Sequence, residues 1–182
     1  MTLSRPTDRR QAIEAAVLRA TEELLGEAAS YAELNVERIA TRAGISRTAF
    51  YFYFRDKREL LMRLTAEVTE LLYAEADTWF TGDASPDDAL RRIGALYTEH
   101  GALLRAVVEV STYDEEVAAF WRGLMGRFVE ATRARVDSHA TAFALVWMTE
   151  RTFYQQLVQE QPLDPEELFA SLAAIWERAT TH

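Results

Sequence analysis

The chain has 182 residues, 49% of them hydrophobic and 27% charged, which is the composition of an ordinary globular protein with a substantial core. It contains no cysteine, which excludes disulfides and thiolate chemistry, and no apolar run approaches the length of a membrane span. The N-terminus is polar and lacks a signal-peptide core, so we expect a cytoplasmic protein with no membrane partner.

The net charge of −9 is unevenly distributed along the chain. Residues 1–64 carry 11 basic and 9 acidic side chains, whereas residues 65–182 carry 9 and 20. Within residues 36–58, six basic side chains stand against two acidic ones. Because screening limits charge interactions to about 8 Å at physiological salt, this local excess allows contact with phosphate in an otherwise acidic protein.

The hydrophobic periodicity predicts an all-α protein of about nine helices, with no convincing strand. Residues 1–7 are expected to form a flexible arm, in which Arg5 either touches phosphate or is disordered. The first helix is predicted from about Asp8 to Leu25, with apolar side chains along one face.

Two short helices follow. The apolar positions of the first share one face, and they are Val36, Ile39, Ala40 and Ala43. Asn35 is a suitable N-cap and Gly44 a suitable end for this helix, and Ser46 can cap the next one. Phe50 and Phe54 are four residues apart and are expected to face the core. Two short helices joined by a glycine-containing turn predict a helix-turn-helix.

The segment from Val36 to Leu60 resembles the DNA-binding signature of the TetR family of bacterial transcription repressors, on the residues V-x-x-I-A-x-x-A-G-I-S-x-x-x-F-Y-x-Y-F-x-x-K-x-x-L. The C-terminal half resembles the branch of that family that includes the mycobacterial ethionamide-resistance regulator, on residues 148–153, 160–162 and 175–176. The resemblance implies a DNA-binding head over residues 8–58 and a helical effector-binding and dimerisation domain over residues 59–182.

Eight residues of the head are candidate DNA contacts: Asn35, Ser46, Arg47, Thr48, Tyr51, Phe52, Tyr53 and Lys57. Arg47 and Thr48 fall in the first turn of the recognition helix, where arginine can bond guanine O6 and N7. Lys57 stands at a helix N-terminus, where backbone amides also face phosphate.

Three aromatic side chains in this set allow more than one interpretation. The resemblance implies groove and phosphate contacts for Tyr51 and Tyr53, although Tyr53 could instead pack on the following helix. Phe52 either touches a thymine methyl or closes the core of the head.

The remaining helices are delimited by caps and breaks. A capping box at Asp56 and Glu59 opens a helix to about Phe80, and a break over residues 81–85 precedes a restart at Ser85 and Pro86. A kink or short turn is expected at residues 100–101. A second capping box, Thr112 with Glu115, predicts a helix to about Asp137, followed by helices over residues 138–160 and about 164–180.

Large apolar residues at helical spacing in the C-terminal half are either plain core or the wall of a pocket. The resemblance implies an apolar pocket, with these candidate lining residues: Leu96, His100, Trp121, Met125, Phe128, Thr132, Val146, Thr149, Tyr154 and Trp176. Thr132 and Thr149 would supply its few polar groups, and an uncharged effector is expected. Glu150 and Arg151 are adjacent and are expected to form an internal ion pair.

Dimerisation is expected through the last two helices, which would meet their symmetry mates in a four-helix interface. The candidate interface residues are Leu145, Met148, Thr152, Leu168, Leu172, Ile175 and Ala179.

No catalytic set emerges, since the three histidines lie in unrelated segments and most acidic residues are cap or surface residues. We therefore expect a homodimeric repressor, without cofactor or metal, that binds an inverted-repeat DNA operator and is released by a small apolar effector. The alternatives are a DNA-binding regulator without an effector pocket, and a small-molecule-binding helical protein without affinity for DNA.

Overall fold

Helices form every regular element of residues 6–27, 30–159 and 163–180, the parts of the chain that the computed structural model describes. A 3-10 turn occupies Tyr31–Glu33 and a π-helical turn occupies Tyr154–Val158. The α-helices of these ranges are α1 (Pro6–Glu27), α2 (Val36–Arg42), α3 (Arg47–Phe50), α4 (Lys57–Phe80), α5 (Pro86–Glu99), α6 (Gly101–Ser111), α7 (Glu115–Arg133), α8 (His139–Phe153) and α9 (Pro165–Thr180). The prediction of an all-α fold is confirmed.

Side-chain caps start four of the helices at the predicted residues. Asn35, Ser46, Asp56 and Ser85 each accept a hydrogen bond from the backbone N–H three residues further along, at 2.9, 3.0, 2.8 and 3.1 Å respectively. Between α2 and α3, Gly44 has a φ of +73°, a left-handed conformation that a residue with a Cβ adopts only at a cost. These local features fix the angle between the two short helices.

The start of α7 differs from the prediction. Asp114 is the N-cap, and its carboxylate accepts from the backbone N–H groups of Glu116 and Val117 at 3.1 and 3.2 Å. The predicted cap Thr112 instead donates its hydroxyl hydrogen to the Glu109 carbonyl at the end of α6. The predicted capping box with Glu115 is therefore wrong, because an aspartate nearer the first turn accepts those hydrogen bonds.

Three other boundaries were predicted imperfectly. α1 begins at Pro6, within the segment expected to be an arm, and residues 1–5, including Arg5, lie outside the described residues. α7 ends at Arg133 rather than near Asp137. After Phe153 the helix widens into the π-helical turn, in which the Gln159 N–H donates to the Tyr154 carbonyl at 3.0 Å. The predicted end of that helix, Glu160, lies outside the described residues.

The helix α4 connects the two ends of the molecule. Its first turns place Leu60 and Leu61 in the core of the helix-turn-helix, beside the fully buried Phe50 and Phe54. Its last turn places Trp79 in the core formed by the C-terminal helices. The buried side chains along this path all belong to one continuous hydrophobic cluster.

Candidate functional sites

The first turn of α3 presents polar side chains to solvent. Ser46, Arg47 and Thr48 are all exposed, and among the described residues the Arg47 guanidinium forms no ion pair. Beyond α3, Tyr51 is exposed and Phe52 is 74% exposed. This surface therefore combines a free cation with two exposed aromatic rings.

The structure decides between the interpretations of two aromatic residues. Phe52 cannot close the core of the head, because most of its surface is in solvent. Tyr53 is half-buried, and the Arg10 guanidinium of α1 lies 5.7 Å from its ring centroid. The packing partner of Tyr53 is thus α1 as well as the core.

Asn35 is exposed, but its side-chain oxygen is occupied by capping, which leaves its amide hydrogens for other partners.

The environment of Lys57 was not foreseen. Its ammonium donates to the carbonyl oxygens of Tyr31 and Leu34, at 3.0 and 2.7 Å, and lies 4.4 Å from the Tyr31 ring centroid. The Tyr31 hydroxyl in turn donates to the Lys57 carbonyl. Burial lowers the pKa of Lys57. Since two of its three N–H donors are used inside the head, only the third is left for phosphate.

Most other basic side chains of residues 36–58 are already paired. Arg42 of α2 bonds two glutamates of α1, at 3.2 and 3.0 Å. Arg58 lies 2.7 Å from the carboxylate of Asp114 and also pairs with Glu116, which Arg55 reaches as well. The local excess of positive charge is therefore smaller than the sequence indicates, and the start of α7 is tied to the start of α4.

A narrow apolar cavity of about 80 Å³ lies between α4, α5, α7, α8 and α9. Six of the predicted lining residues border it: Met125, Phe128, Thr132, Val146, Thr149 and Trp176. One water molecule needs about 10–15 Å³ by the same measure, so the cavity is several times larger than the space that one water molecule needs.

Four predicted lining residues lie elsewhere. Tyr97 of α5 lines the cavity. The preceding residue, Leu96, does not, because adjacent side chains of a helix point in different directions. His100 contacts the Glu22 carboxylate of α1 through Nδ1, at 2.5 Å. Trp121 is buried one turn below Met125, beyond the end of the cavity, and the Tyr154 hydroxyl accepts from Gln159. A helical period identifies a buried face, but it does not show where along that face a void opens.

None of the side chains that α4 and α5 contribute to the wall was predicted. The side chains concerned are Leu72, Ala76, Trp79, Phe80, Pro86, Ala89, Leu90, Ile93 and Tyr97, with Glu150 and Phe153 on α8. The spacing of Leu72, Ala76 and Trp79 marks an inward face, but the same spacing is typical of an ordinary core.

The polar groups of the cavity wall differ in their hydrogen bonding. Thr149 accepts from the Trp176 indole N–H at 2.9 Å, which ties α8 to α9. Thr132 is buried and its hydroxyl has no partner among the described residues. Glu150 is buried as well, and neither of its carboxylate oxygens has a hydrogen-bond partner there. Arg151 Nε lies 3.7 Å from this carboxylate, so the expected ion pair is present but includes no hydrogen bond.

The outer face of α8 and α9 carries exposed apolar side chains, but they are not all the predicted ones. Leu145, Leu168 and Leu172 are buried within the protomer, so their assignment to an interface surface is wrong. The stripe that they form faces the core. Met148, Thr152 and Ala179 are half-buried, and Ile175 is 39% exposed. Two aromatic residues missing from the prediction lie on the surface of α8, Phe143 (52% exposed) and the half-buried Trp147.

Comparisons with known proteins match both halves of the molecule. Residues 17–64 match the family of bacterial regulatory proteins called the tetR family, and residues 87–180 match the C-terminal domain of the transcriptional regulator EthR. The HTH-type transcriptional regulator EthR of Mycolicibacterium smegmatis is 34% identical, over 90% of this chain and 83% of the relative. The protein belongs to the TetR family. The resemblance stated from the sequence is confirmed.

Other relatives agree with this membership. EthR of Mycobacterium tuberculosis strain H37Rv is 31% identical to this TetR-family chain, and the match covers 90% of this chain and 84% of the EthR chain. Among solved structures, the multidrug binding protein EbrR in complex with imidazole superposes with a TM-score of 0.72 at 16% identity, covering 96% of each chain. A transcriptional regulator of Rhodococcus sp. Rha1 gives 0.68 at 15%, covering 93% of this chain and 95% of the other. At such identities the structural likeness establishes the fold alone.

Family membership determines the broad class of function. This TetR-family protein is a DNA-binding transcriptional regulator of a repressor family and not an enzyme. Within the described ranges, no helix is both long and apolar enough to cross a membrane.

Proposed function

We propose that this TetR-family regulator is a homodimeric repressor that binds an inverted-repeat DNA operator and is released by a small, mostly apolar effector. One observation carries the proposal. The helices α4 and α7 each run from the DNA-binding head, where the start of α7 pairs with Arg55 and Arg58, to the wall of the same apolar cavity. A ligand in that cavity would therefore act on two helices that contact the DNA-binding head.

Recognition of DNA is assigned to the exposed turn of α3. Arg47 is free to bond guanine O6 and N7 in the major groove, and Thr48 lies beside it. Tyr51 and Phe52 are placed to contact the sugar–phosphate backbone or a thymine methyl, and Asn35 still has amide hydrogens for phosphate. Lys57 contributes mainly by holding the 3-10 turn against α4, because its ammonium is engaged there.

An inverted repeat requires two heads related by a two-fold axis, about 34–36 Å apart or a multiple of it. The exposed apolar strip formed by Phe143, Trp147 and Ile175 supports pairing of α8 and α9 with a second copy. Two such helices meeting their symmetry mates would form a four-helix interface. The buried Leu145, Leu168 and Leu172 would support this face from within.

Release by an effector follows from the size of the cavity. A ligand too large for this space would push α4 and α7 apart, since Ala76 and Trp79 of α4 and Met125 and Phe128 of α7 all line the cavity. Separation would change the angle at which α4 presents the head and so the distance between the two heads. Binding of effector and operator would then be mutually weakening, typically by 1–3 kcal/mol.

The experiment fills the cavity from α4. Ala76→Leu adds three carbon atoms to the wall and is expected to block the ligand while the folded dimer still binds DNA. The matched control is Ala95→Leu, at an exposed position of α5. The ligand is the compound that raises the melting temperature most in a thermal-shift screen of apolar molecules.

Operator binding is then measured with and without that compound. We expect release of the wild type and of Ala95→Leu, but not of Ala76→Leu. Equal release of all three proteins would show that the ligand acts at another site.

A further inference from the structure

A buried carboxyl group without a hydrogen-bond partner among the described residues lies in the wall of the apolar cavity. The side chain of Glu150 is only 3% exposed, and neither of its oxygens accepts a hydrogen bond from the described residues. Arg151 pairs with it at 3.7 Å but donates no hydrogen bond, and its guanidinium also lies over the Tyr154 ring at 5.1 Å. A buried carboxyl left in this condition is costly, so it calls for an explanation.

A second unpaired group faces the same cavity from another helix. The Thr132 hydroxyl of α7 is fully buried and has no partner among the described residues, whereas Thr149 is bonded by Trp176. Burial raises the pKa of Tyr97 on α5, and the charge of Glu150 raises it further. The carboxyl of Glu150 therefore lies close to α5. Two unsatisfied acceptors therefore border a space that is otherwise apolar.

We propose, building on the effector role proposed above, that the cavity binds a ligand with a narrow apolar body and one protonated amine. The ammonium donates to the carboxylate of Glu150 and to the hydroxyl oxygen of Thr132. An ammonium has several N–H donors and a complementary charge, so it satisfies both groups at once. An alcohol offers a single donor, and a fatty acid brings a like charge to Glu150. This proposal departs from the expectation of an uncharged effector, because Glu150 places a buried carboxyl in the cavity wall.

The aromatic lining supports the same class of ligand. Trp79 and Trp176 meet edge to face with centroids 5.2 Å apart, and both border the cavity. Indole faces attract cations, whereas carboxylates gain nothing from them. The apolar body would contact aliphatic side chains of α4 and α5, such as Leu72 and Ile93.

The test compares three probes of one length, n-octylamine, n-octanol and n-octanoate, by calorimetric titration of the full chain without DNA at pH 7.5. A buried charge-assisted hydrogen bond predicts that wild type binds octylamine about 10- to 100-fold more tightly than octanol, with octanoate weakest. Glu150→Gln, close in shape, should reduce the amine's advantage to about threefold or less. The matched control, Glu70→Gln on the exposed face of α4, should retain the wild-type ratio.

Two further measurements keep the proposal falsifiable if Glu150→Gln misfolds. Thr132→Val should weaken octylamine about two- to tenfold, the range of one hydrogen bond. Burial raises the pKa of Glu150, against the opposing charge of Arg151, so the amine-to-alcohol ratio should increase with pH as the carboxyl ionises. The other groups that face this carboxyl are the guanidinium of Arg151 and the phenol of Tyr97, whose pKa is raised by burial.

Each outcome has a defined meaning. Octanol binding as tightly as octylamine, or an unchanged ratio in Glu150→Gln, would overturn the proposal. A preference for the amine that grows toward low pH would also overturn it, because the ionised carboxylate of Glu150 would then not be the group that binds the ammonium. Amine binding that leaves operator affinity unchanged would refute effector control but not the ligand class.

Discussion

At the scale of single residues, the structure separates side chains that are free to meet DNA from those that hold the head together. Arg47 is exposed and unpaired among the described residues, whereas Arg42 is fixed by glutamates of α1 and Lys57 by two backbone carbonyls. Counting basic residues in the sequence does not distinguish these roles, because the partners lie on other helices. The division leads to two predictions.

Arg47→Ala should cost about 1–3 kcal/mol of discrimination at one base position in each half-site and relax specificity there. The physical reason is the loss of a bidentate contact to guanine, with the surrounding fold unaffected because Arg47 is exposed and forms no ion pair among the described residues. Binding to a full set of single-base operator variants measures this. Arg133→Ala, which removes the same charge at the exposed end of α7, is the control and should leave the preference unchanged. A uniform loss across all sequences would show that Arg47 contacts phosphate.

Lys57→Met should lower the free energy of unfolding by about 1–2 kcal/mol, because it retains the aliphatic stem but leaves the carbonyls of Tyr31 and Leu34 without their charged donor. Urea unfolding followed by circular dichroism measures the loss. Unchanged stability together with weaker binding to every DNA sequence would contradict this account and restore Lys57 to a purely phosphate-binding role.

At the scale of helices, the start of α7 has two tasks that can be separated by mutation. Asp114 caps the helix and also pairs with Arg58, whereas Glu116 only pairs with basic residues at the start of α4. Asp114→Ala should therefore destabilise the protein more than Glu116→Ala does. The expected difference is about 1 kcal/mol, because that is the usual cost of losing a helix cap. Thermal unfolding of the two variants measures the difference. Equal destabilisation would mean that the cap of α7 contributes nothing.

The sequence predicted individual helices better than their assembly. Caps such as Asn35, Ser46 and Ser85 act within three residues, so the helix starts were predictable from local chemistry. The stripe containing Leu145 and Leu172 was correctly seen as apolar, but periodicity alone does not tell a core face from an interface. The missing hydrogen bonds of Glu150 depend on the positions of three helices, and no local pattern encodes them.

At the scale of the whole molecule, the exposed apolar strip on α8 and α9 predicts a dimer. A charged side chain introduced into this strip should dissociate the dimer without unfolding the protomer. Ile175→Glu places a charge on that strip and should yield folded monomers that no longer bind the operator. Leu71→Glu, at a 49% exposed leucine of α4, is the matched control and should remain dimeric. Sedimentation velocity at micromolar concentration measures both. A wild type that sediments as a monomer would refute the proposed assembly.

The central claim is that two copies of this chain read one inverted repeat through α3. The most direct measurement is selection of bound fragments from random double-stranded DNA, carried out in parallel with wild type and Arg47→Ala. The account predicts that wild type enriches an inverted repeat whose half-site centres are about 10–10.5 base pairs apart or a multiple, and that Arg47→Ala loses one position symmetrically in both halves. Enrichment of a single unrepeated site, or of no sequence at all, would contradict it.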